Sequence, residues 1–211
     1  MKKLTSTEAL RLLEESGKMN PGRWVKHSKK VGEAASRIAE RLDLDVDKAR
    51  TMGYIHDIGK RFGKRAIHTV EGYDFLISLG YNEEYANICL THSYLNNDIN
   101  CTAGGFPSPK CKGYEFRVNF LKNHEYTIYD KIINICDLFC TNEFVTVDRR
   151  LIDVYTRRGV YDNTVYHIKE TTKLKRELED MMGCGLYSLF PEIVENFNKK
   201  HRNLYHEFRN H

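Results

Sequence analysis

Apolar residues recur at helical spacing along most of this chain, and no credible set of alternating strands accompanies them. Leu4, Leu10, Leu12 and Leu13 mark a first helix over about residues 5–15, with Ser6 or Thr7 placed to cap it and Gly17 to end it. Asn20-Pro21 opens a second helix, predicted from about Gly22 to Leu42, with Pro21 in the first turn where a missing N–H costs little. Val25, Val31, Ala34, Ala35, Ile38 and Leu42 form its apolar stripe. After an acidic turn at 43–47, a third helix carries Ala49, Met52, Gly53, Tyr54 and Ile55 into His56-Asp57 and is expected to stop near Gly59. Beyond a basic connector at 60–65, two more helices are predicted over about 68–79 and 83–92, parted by Gly80-Tyr81-Asn82.

From Ser93 to about Glu125 the pattern fails, and Gly104, Gly105, Pro107 and Pro109 fall within the gap. A connection this long is usually a functional lid or an insertion. Helical spacing returns over 126–140, through Ile128, Ile132, Ile133, Ile135, Leu138 and Phe139. It continues over about 149–157, 164–182 and 189–208, with Gly183-Cys184-Gly185 separating the last two. There is no internal repeat. The expected fold is an all-α helical bundle, with residues 1–142 as its main domain, an insertion at about 93–125, and helices from 143–211 packed on the same domain.

Composition sharpens this picture only modestly. In 211 residues, 41% are hydrophobic and 29% charged, a mix that suits helices with solvated outer faces. The 33 basic and 29 acidic residues leave a formal charge of +4, too mild for a bulk nucleic-acid binder, so such a partner is not expected. Met1-Lys2-Lys3 leads directly into polar residues rather than a signal-peptide core, and no window reaches membrane-spanning length. A cytoplasmic location is the expectation. The six cysteines are scattered in spacing, as befits reduced thiols.

The candidate chemistry lies in the histidines and aspartates on the core helices or at their ends: His27, His56, Asp57, His68, His92 and Asp137. Imidazole and carboxylate together suit iron, manganese, zinc, cobalt or nickel, and the lack of paired cysteines disfavours structural zinc. Four such ligands complete one metal site, whereas six with a bridging carboxylate hold two. By itself His56-Asp57 also reads as a hydrogen-bonded pair at a helix end. Asp137, set among Ile and Leu, is costly to bury without a charged partner.

Taken in order, His27, His56-Asp57 and Asp137 resemble the HD superfamily of metal-dependent phosphohydrolases. Arg23-Trp24-Val25-Lys26-His27-Ser28 looks like that family's first-histidine helix, and His56-Asp57-Ile58-Gly59-Lys60 like a variant of its namesake motif. Residues 130–137, ending in Cys136-Asp137, look like its last motif. His68 and His92 resemble the extra histidines of the binuclear subgroup, which includes bacterial symmetrical diadenosine tetraphosphate hydrolases. The resemblance covers about residues 20–142.

It implies a first metal on His27, His56, Asp57 and Asp137, with Asp57 bridging to a second metal on His68 and His92. Iron or manganese would be favoured over zinc, cobalt, nickel or magnesium. Asp57 and Lys60 would serve catalysis, and Lys60 and Arg23 would bind substrate phosphate. The implied activity is hydrolysis of a phosphoester or phosphoanhydride in a nucleotide or dinucleoside polyphosphate. A 5′-nucleotidase, another small-ester phosphatase and a non-catalytic nucleotide sensor remain alternatives. Thr91-His92 lacks the paired histidines of cyclic-di-GMP phosphodiesterases, and Gly59-Lys60 replaces the acidic pair of alarmone hydrolases. Both branches therefore fit less well.

The other candidates have plainer readings. Lys60, Arg61, Lys64 and Arg65 read as a solvated face, Lys60 excepted. Arg149, Arg150, Arg157 and Arg158 decorate solvent-facing turns, where one of them could reach a phosphate. Cys101 and Cys111 read as thiols of a flexible insertion. His124, His167, His201, His206 and His211 read as surface residues.

Overall fold

A computed structural model describes residues 1–63 and 67–196, and in these the helical stripes become α-helices joined by short turns. There are no strands among the described residues, only two isolated bridges, Lys2 with Tyr81 and Cys140 with Phe144. Helix α1 (Ser6–Met19) is capped by Thr5, whose side chain accepts from the Glu8 amide, and not by Ser6 or Thr7. It runs through Gly17, since one glycine weakens a helix by about 1 kcal/mol without stopping it. The break comes at Asn20, where the following Pro21 disfavours helical backbone. Helix α2 (Arg23–Arg41) has Gly22 as its cap, so Pro21 precedes the first turn instead of occupying it.

Helix α3 (Val46–Ile55) begins at the Asp45 cap and ends earlier than the pattern predicts. The Lys60 amide donates to the Asp57 carbonyl at 2.9 Å and draws residues Ile58–Phe62 into a 3-10 turn. His56 and Asp57 thus sit where one helix gives way to a tighter one. Helix α4 (His68–Ser78) and helix α5 (Glu83–Thr91) follow, the second capped by Asn82. Helix α7 (Ile128–Asp137) starts from a reciprocal Thr127–Asp130 capping box. Helix α8 (Val147–Arg158) is capped by Thr146. Helix α9 (Thr164–Met182) closes on Gly183 in left-handed backbone, φ 65°, where glycine carries no Cβ penalty.

The core lies among α2, α3, α5 and α7, where Ile38, Ile55, Ile88, Ile132 and Ile133 are fully or almost fully buried. Phe190, beyond α9, meets Phe139 edge-on and Phe144 at a tilt, with centroid separations of 4.8 and 4.9 Å. This aromatic cluster and the Arg37–Glu192 ion pair (2.6 Å) tie the C-terminal segment to the end of α7 and to α2. Residues 192–196 are helical, while the remainder of the helix expected to reach Phe208 lies outside the described residues. Lys64, Arg65, His201, His206 and His211 lie outside them too.

The stretch from Ser93 to Glu125 is more ordered than its pattern suggests, for it contains helix α6 (Tyr114–Asn123). Its polarity is inverted. Arg117 is buried and donates to the Tyr94 hydroxyl at 2.6 Å, while Phe116 is 42% exposed, so no apolar stripe marks the helix. Cys101 belongs to the core instead of a flexible loop, and its carbonyl accepts from the Leu95 amide at 3.1 Å. Asn163, at the start of α9, donates to the Asn100 and Thr102 carbonyls at 2.8 and 3.0 Å and pins the insertion. Among the described residues, neither Cys101 nor Cys111 joins a group able to hold a metal. No helix of the described residues is long and apolar enough to cross a membrane.

Candidate metal centre

Asp57 stands at the centre of the site, 2% exposed, with its two carboxylate oxygens facing different neighbours. Its Oδ2 lies 3.5 Å from His56 Nε2 and 3.9 Å from His27 Nε2, and the Lys60 ammonium contacts the same oxygen. Its Oδ1 lies 3.5 Å from His68 Nε2 and 3.6 Å from His92 Nε2. Two ligand groups therefore share one carboxylate. His27, His56 and Asp57 form one, Asp57, His68 and His92 the other, each with donor atoms within 4.8 Å.

The imidazoles are aimed by their second nitrogens. His56 Nδ1–H donates to the Gly53 carbonyl at 2.7 Å. His92 Nδ1–H donates to the Cys89 and Ile88 carbonyls at 3.0 and 3.1 Å. A carbonyl only accepts, so each ring proton resides on Nδ1 and each Nε2 lone pair points inward. His56 Nε2 is buried and has no hydrogen-bond partner, a costly condition unless a cation takes the lone pair.

His27 gives a second indication. Its Nδ1 faces the Cys140 carbonyl at 3.1 Å and its Nε2 faces Asp137 Oδ1 at 2.9 Å. Both ring nitrogens thus meet acceptors, which requires a proton or a metal between His27 and Asp137. Asp137 lies outside both Asp57 groups and reaches the centre through His27. The donor set of imidazole and carboxylate fits a hard or borderline divalent cation.

Electrostatics point the same way. Burial by itself would raise the Asp57 pKa, but Lys60, His56 and His92 outweigh it and hold the carboxyl well below its ordinary range. Burial is likewise overcome at Asp137, chiefly by the hydrogen bond to His27. His68 lines the cavity, and desolvation pushes its pKa down, so it is neutral and able to ligate.

Local folding explains how these side chains converge. A Cβ on Gly59 would lie 2.0 Å from the His68 carbonyl, so only glycine lets the start of α4 come this close to the 3-10 turn. Asn20 Nδ2 donates to the Lys60 carbonyl at 2.6 Å and ties that turn to the start of α2. Asn134 was not singled out from sequence, yet its Nδ2 donates to the Thr91 and His92 carbonyls at 3.2 and 2.7 Å. Asp130, whose Oδ1 accepts from Thr91 at 2.6 Å, completes the brace. The only signal for these two was a polar pair within an apolar helix.

The centre opens into a cavity of about 790 Å³. Arg23 and Lys60 line it, as expected, and Arg149, Arg150, Arg157 and Arg158 of α8 line it as well instead of merely decorating solvent-facing turns. His124 and His167 depart from the surface reading. His124 is held by Asp130 at 3.2 Å, and His167 is 1% exposed, with Nδ1 against the Tyr155 hydroxyl at 2.7 Å.

Comparison with known proteins adds independent findings. A family model described as HD domain matches residues 24–142, the span that holds all six candidate ligands. Ribonuclease Y of Fervidobacterium nodosum is 37% identical over 68 residues, 31% of this chain and 13% of that protein. Ribonuclease Y of Thermotoga maritima is 36% identical over 70 residues, 32% of this chain and 14% of its own. That of Protochlamydia amoebophila is 35% identical over 63 residues, 29% and 12% of the two chains. The chain therefore covers about an eighth of the length of these curated relatives. No solved structure matches it.

Proposed function

The chain belongs to the HD-domain family, and from that premise we propose that it is a metal-dependent phosphohydrolase with two divalent cations, acting on a small phosphorylated substrate. The substrate class is a nucleotide or dinucleoside polyphosphate. One observation carries the reading: the two oxygens of Asp57 each face their own pair of imidazole Nε2 atoms. A carboxylate so placed would be the ligand common to two cations. His27, His56 and Asp57, with Asp137 beyond His27, would hold one cation, and Asp57, His68 and His92 the other. Bound cations would neutralise phosphate charge and supply an activated water.

The chain's own groups then orient the reaction. Lys60 contacts Asp57 Oδ2 and also lines the cavity, so with cations bound at Asp57 its ammonium would turn toward the phosphoryl oxygens. Arg23 sits one helical turn before His27 on the same face, lines the same cavity, and adds a second cationic donor. A cavity of about 790 Å³ matches a ligand of nucleotide size.

The test is metal analysis of the purified protein, followed by phosphate release from a panel of mononucleotides and dinucleoside polyphosphates. Two metals per chain with turnover on that panel is the expected result. Bound metal without turnover on any phosphoester would favour a nucleotide sensor. A second reading, RNA as substrate, draws on the local identity to Ribonuclease Y, itself named as a ribonuclease. Cleavage of a labelled oligoribonucleotide in preference to every small nucleotide would replace the first reading with the second.

A further inference from the structure

Part of the cavity wall comes from α8 and from His167 of α9, and nothing in the metal site needs what these residues carry. Helix α8 presents four arginines over twelve residues, all four lining the cavity. Asp153 holds Arg150 at 3.0 Å and Arg157 at 2.7 Å, which fixes their planes without cancelling their joint charge. Arg150 Nε lies 3.5 Å from the Asp137 carbonyl, so the arginine row begins beside the metal centre and runs outward along the helix. Arg158, at its far end, pairs with no carboxylate among the described residues. Two arginines in the last turn also suit the helix dipole, which accounts for their presence there but not for their facing a cavity.

His167 is the second, independent feature. It is 1% exposed and lines the same cavity. Burial pushes the Tyr155 hydroxyl up to about 12, so the phenol keeps its proton, and His167 Nδ1 lies 2.7 Å from that hydroxyl, which can donate to it. The imidazole is neutral, since burial pushes its pKa down to about 4. With Tyr155 donating to Nδ1, the one ring proton lies on Nε2, which has no hydrogen-bond partner among the described residues. His167 is among the residues that line the cavity, beside the arginines of α8. Arg158 is close enough for its charge to bear on both Tyr155 and His167.

We infer that α8 and α9 form a second anion subsite, in which Arg157, Arg158 and the His167 Nε2–H bind phosphate oxygens beyond the phosphate held at the metal centre. The substrate accordingly carries a chain of at least two linked phosphates, and this subsite grips the portion of the chain distal to the metals. Because His167 is neutral, it positions the chain as a hydrogen-bond donor and does not act as a general acid. The inference rests on the phosphohydrolase reading for the first phosphate, but its own residues lie outside the candidate metal ligands.

The experiment compares two probes on the metal-loaded full-length chain by calorimetry: AMP and β,γ-methylene-ATP, which share a base and ribose and differ in phosphate number. The wild-type protein should bind the methylene analogue about tenfold or more tightly than AMP, the gain expected of added charge-assisted hydrogen bonds. The Arg157→Gln/Arg158→Gln double variant and His167→Gln should each bring that ratio down severalfold toward one. An unchanged ratio in the double variant, which alters only exposed side chains, overturns the subsite even if His167→Gln fails to fold. A labelled decaribonucleotide that loses affinity in the double variant while the analogue does not would also overturn it, in favour of an RNA track. In the wild-type protein, Nε2–H tautomer signals of His167 in nitrogen-15 spectra that shift with the analogue but not with AMP support it. Failure of the underlying reading shows separately, as a wild-type chain that holds no metal and releases no phosphate.

Discussion

Asp57 concentrates the chemistry of the centre in one side chain. It is buried, ionised, and contacted on both oxygens, so its removal deprives both ligand groups of their shared member. Asp57→Ala is expected to abolish phosphate release and to lower metal content measured by plasma mass spectrometry; near-wild-type activity would end the two-metal proposal. His68 is the most accessible of the six and touches Asp57 only through Oδ1. His68→Ala should therefore reduce stoichiometry from about two metals to about one. A stoichiometry of one already in the wild-type chain would mark the centre as mononuclear. The motif order of these side chains was legible in sequence. The tautomers were not, because they are set by the carbonyls of Gly53, Cys89 and Cys140, which no spacing rule identifies.

At the level of elements, the site depends on close approaches between helix ends. Gly59→Ala would drive a methyl into the His68 carbonyl and move the start of α4. We expect a loss of about 1–3 kcal/mol in urea unfolding, with weaker occupancy of the His68–His92 site. A variant that retains full stability and two metals would show that the contact yields more easily than the packing implies. Asn134→Ala would leave the His92 carbonyl short of a donor, while Thr91 keeps the Tyr94 amide, at a cost of about 1–3 kcal/mol in the same measurement. The insertion is pinned at Cys101 and Asn163, while its tip carries no candidate ligand. Shortening residues 105–110 removes no candidate ligand and leaves the buried Cys101 in place, so substrate preference should change more than metal binding. Loss of metal on that deletion would reveal a ligand in the loop. Helix α6 went unseen in the sequence because a buried arginine and an exposed phenylalanine reverse the usual stripe.

For the molecule as a whole, acid stability offers a distinct check on the α8–α9 wall. His167 titrates near its ordinary 6.5 when unfolded and at about 4 when folded. Between those values the unfolded chain binds more protons, so stability is full above pH 6.5 and falls as the pH drops toward 4. The stability gap between the wild-type chain and His167→Gln should therefore narrow by about 2–3 kcal/mol between pH 7 and pH 4.5, as read by urea unfolding. A gap that stays constant would mean that His167 is not held neutral by the fold. Helix α8 and His167 of α9 line the same cavity as residues of α2 and α7.

By itself the sequence determined the helical class, most helix spans, and the order of six ligand-competent residues, because apolar periodicity, caps and adjacent motif residues are local properties. The tertiary structure alone decided that Asp57 offers one oxygen to each pair of histidines, that α8 turns its arginines toward the same cavity, and that His167 is buried. Those facts depend on which way helices distant in sequence face once packed, and the periodicity of a single helix does not encode its partner.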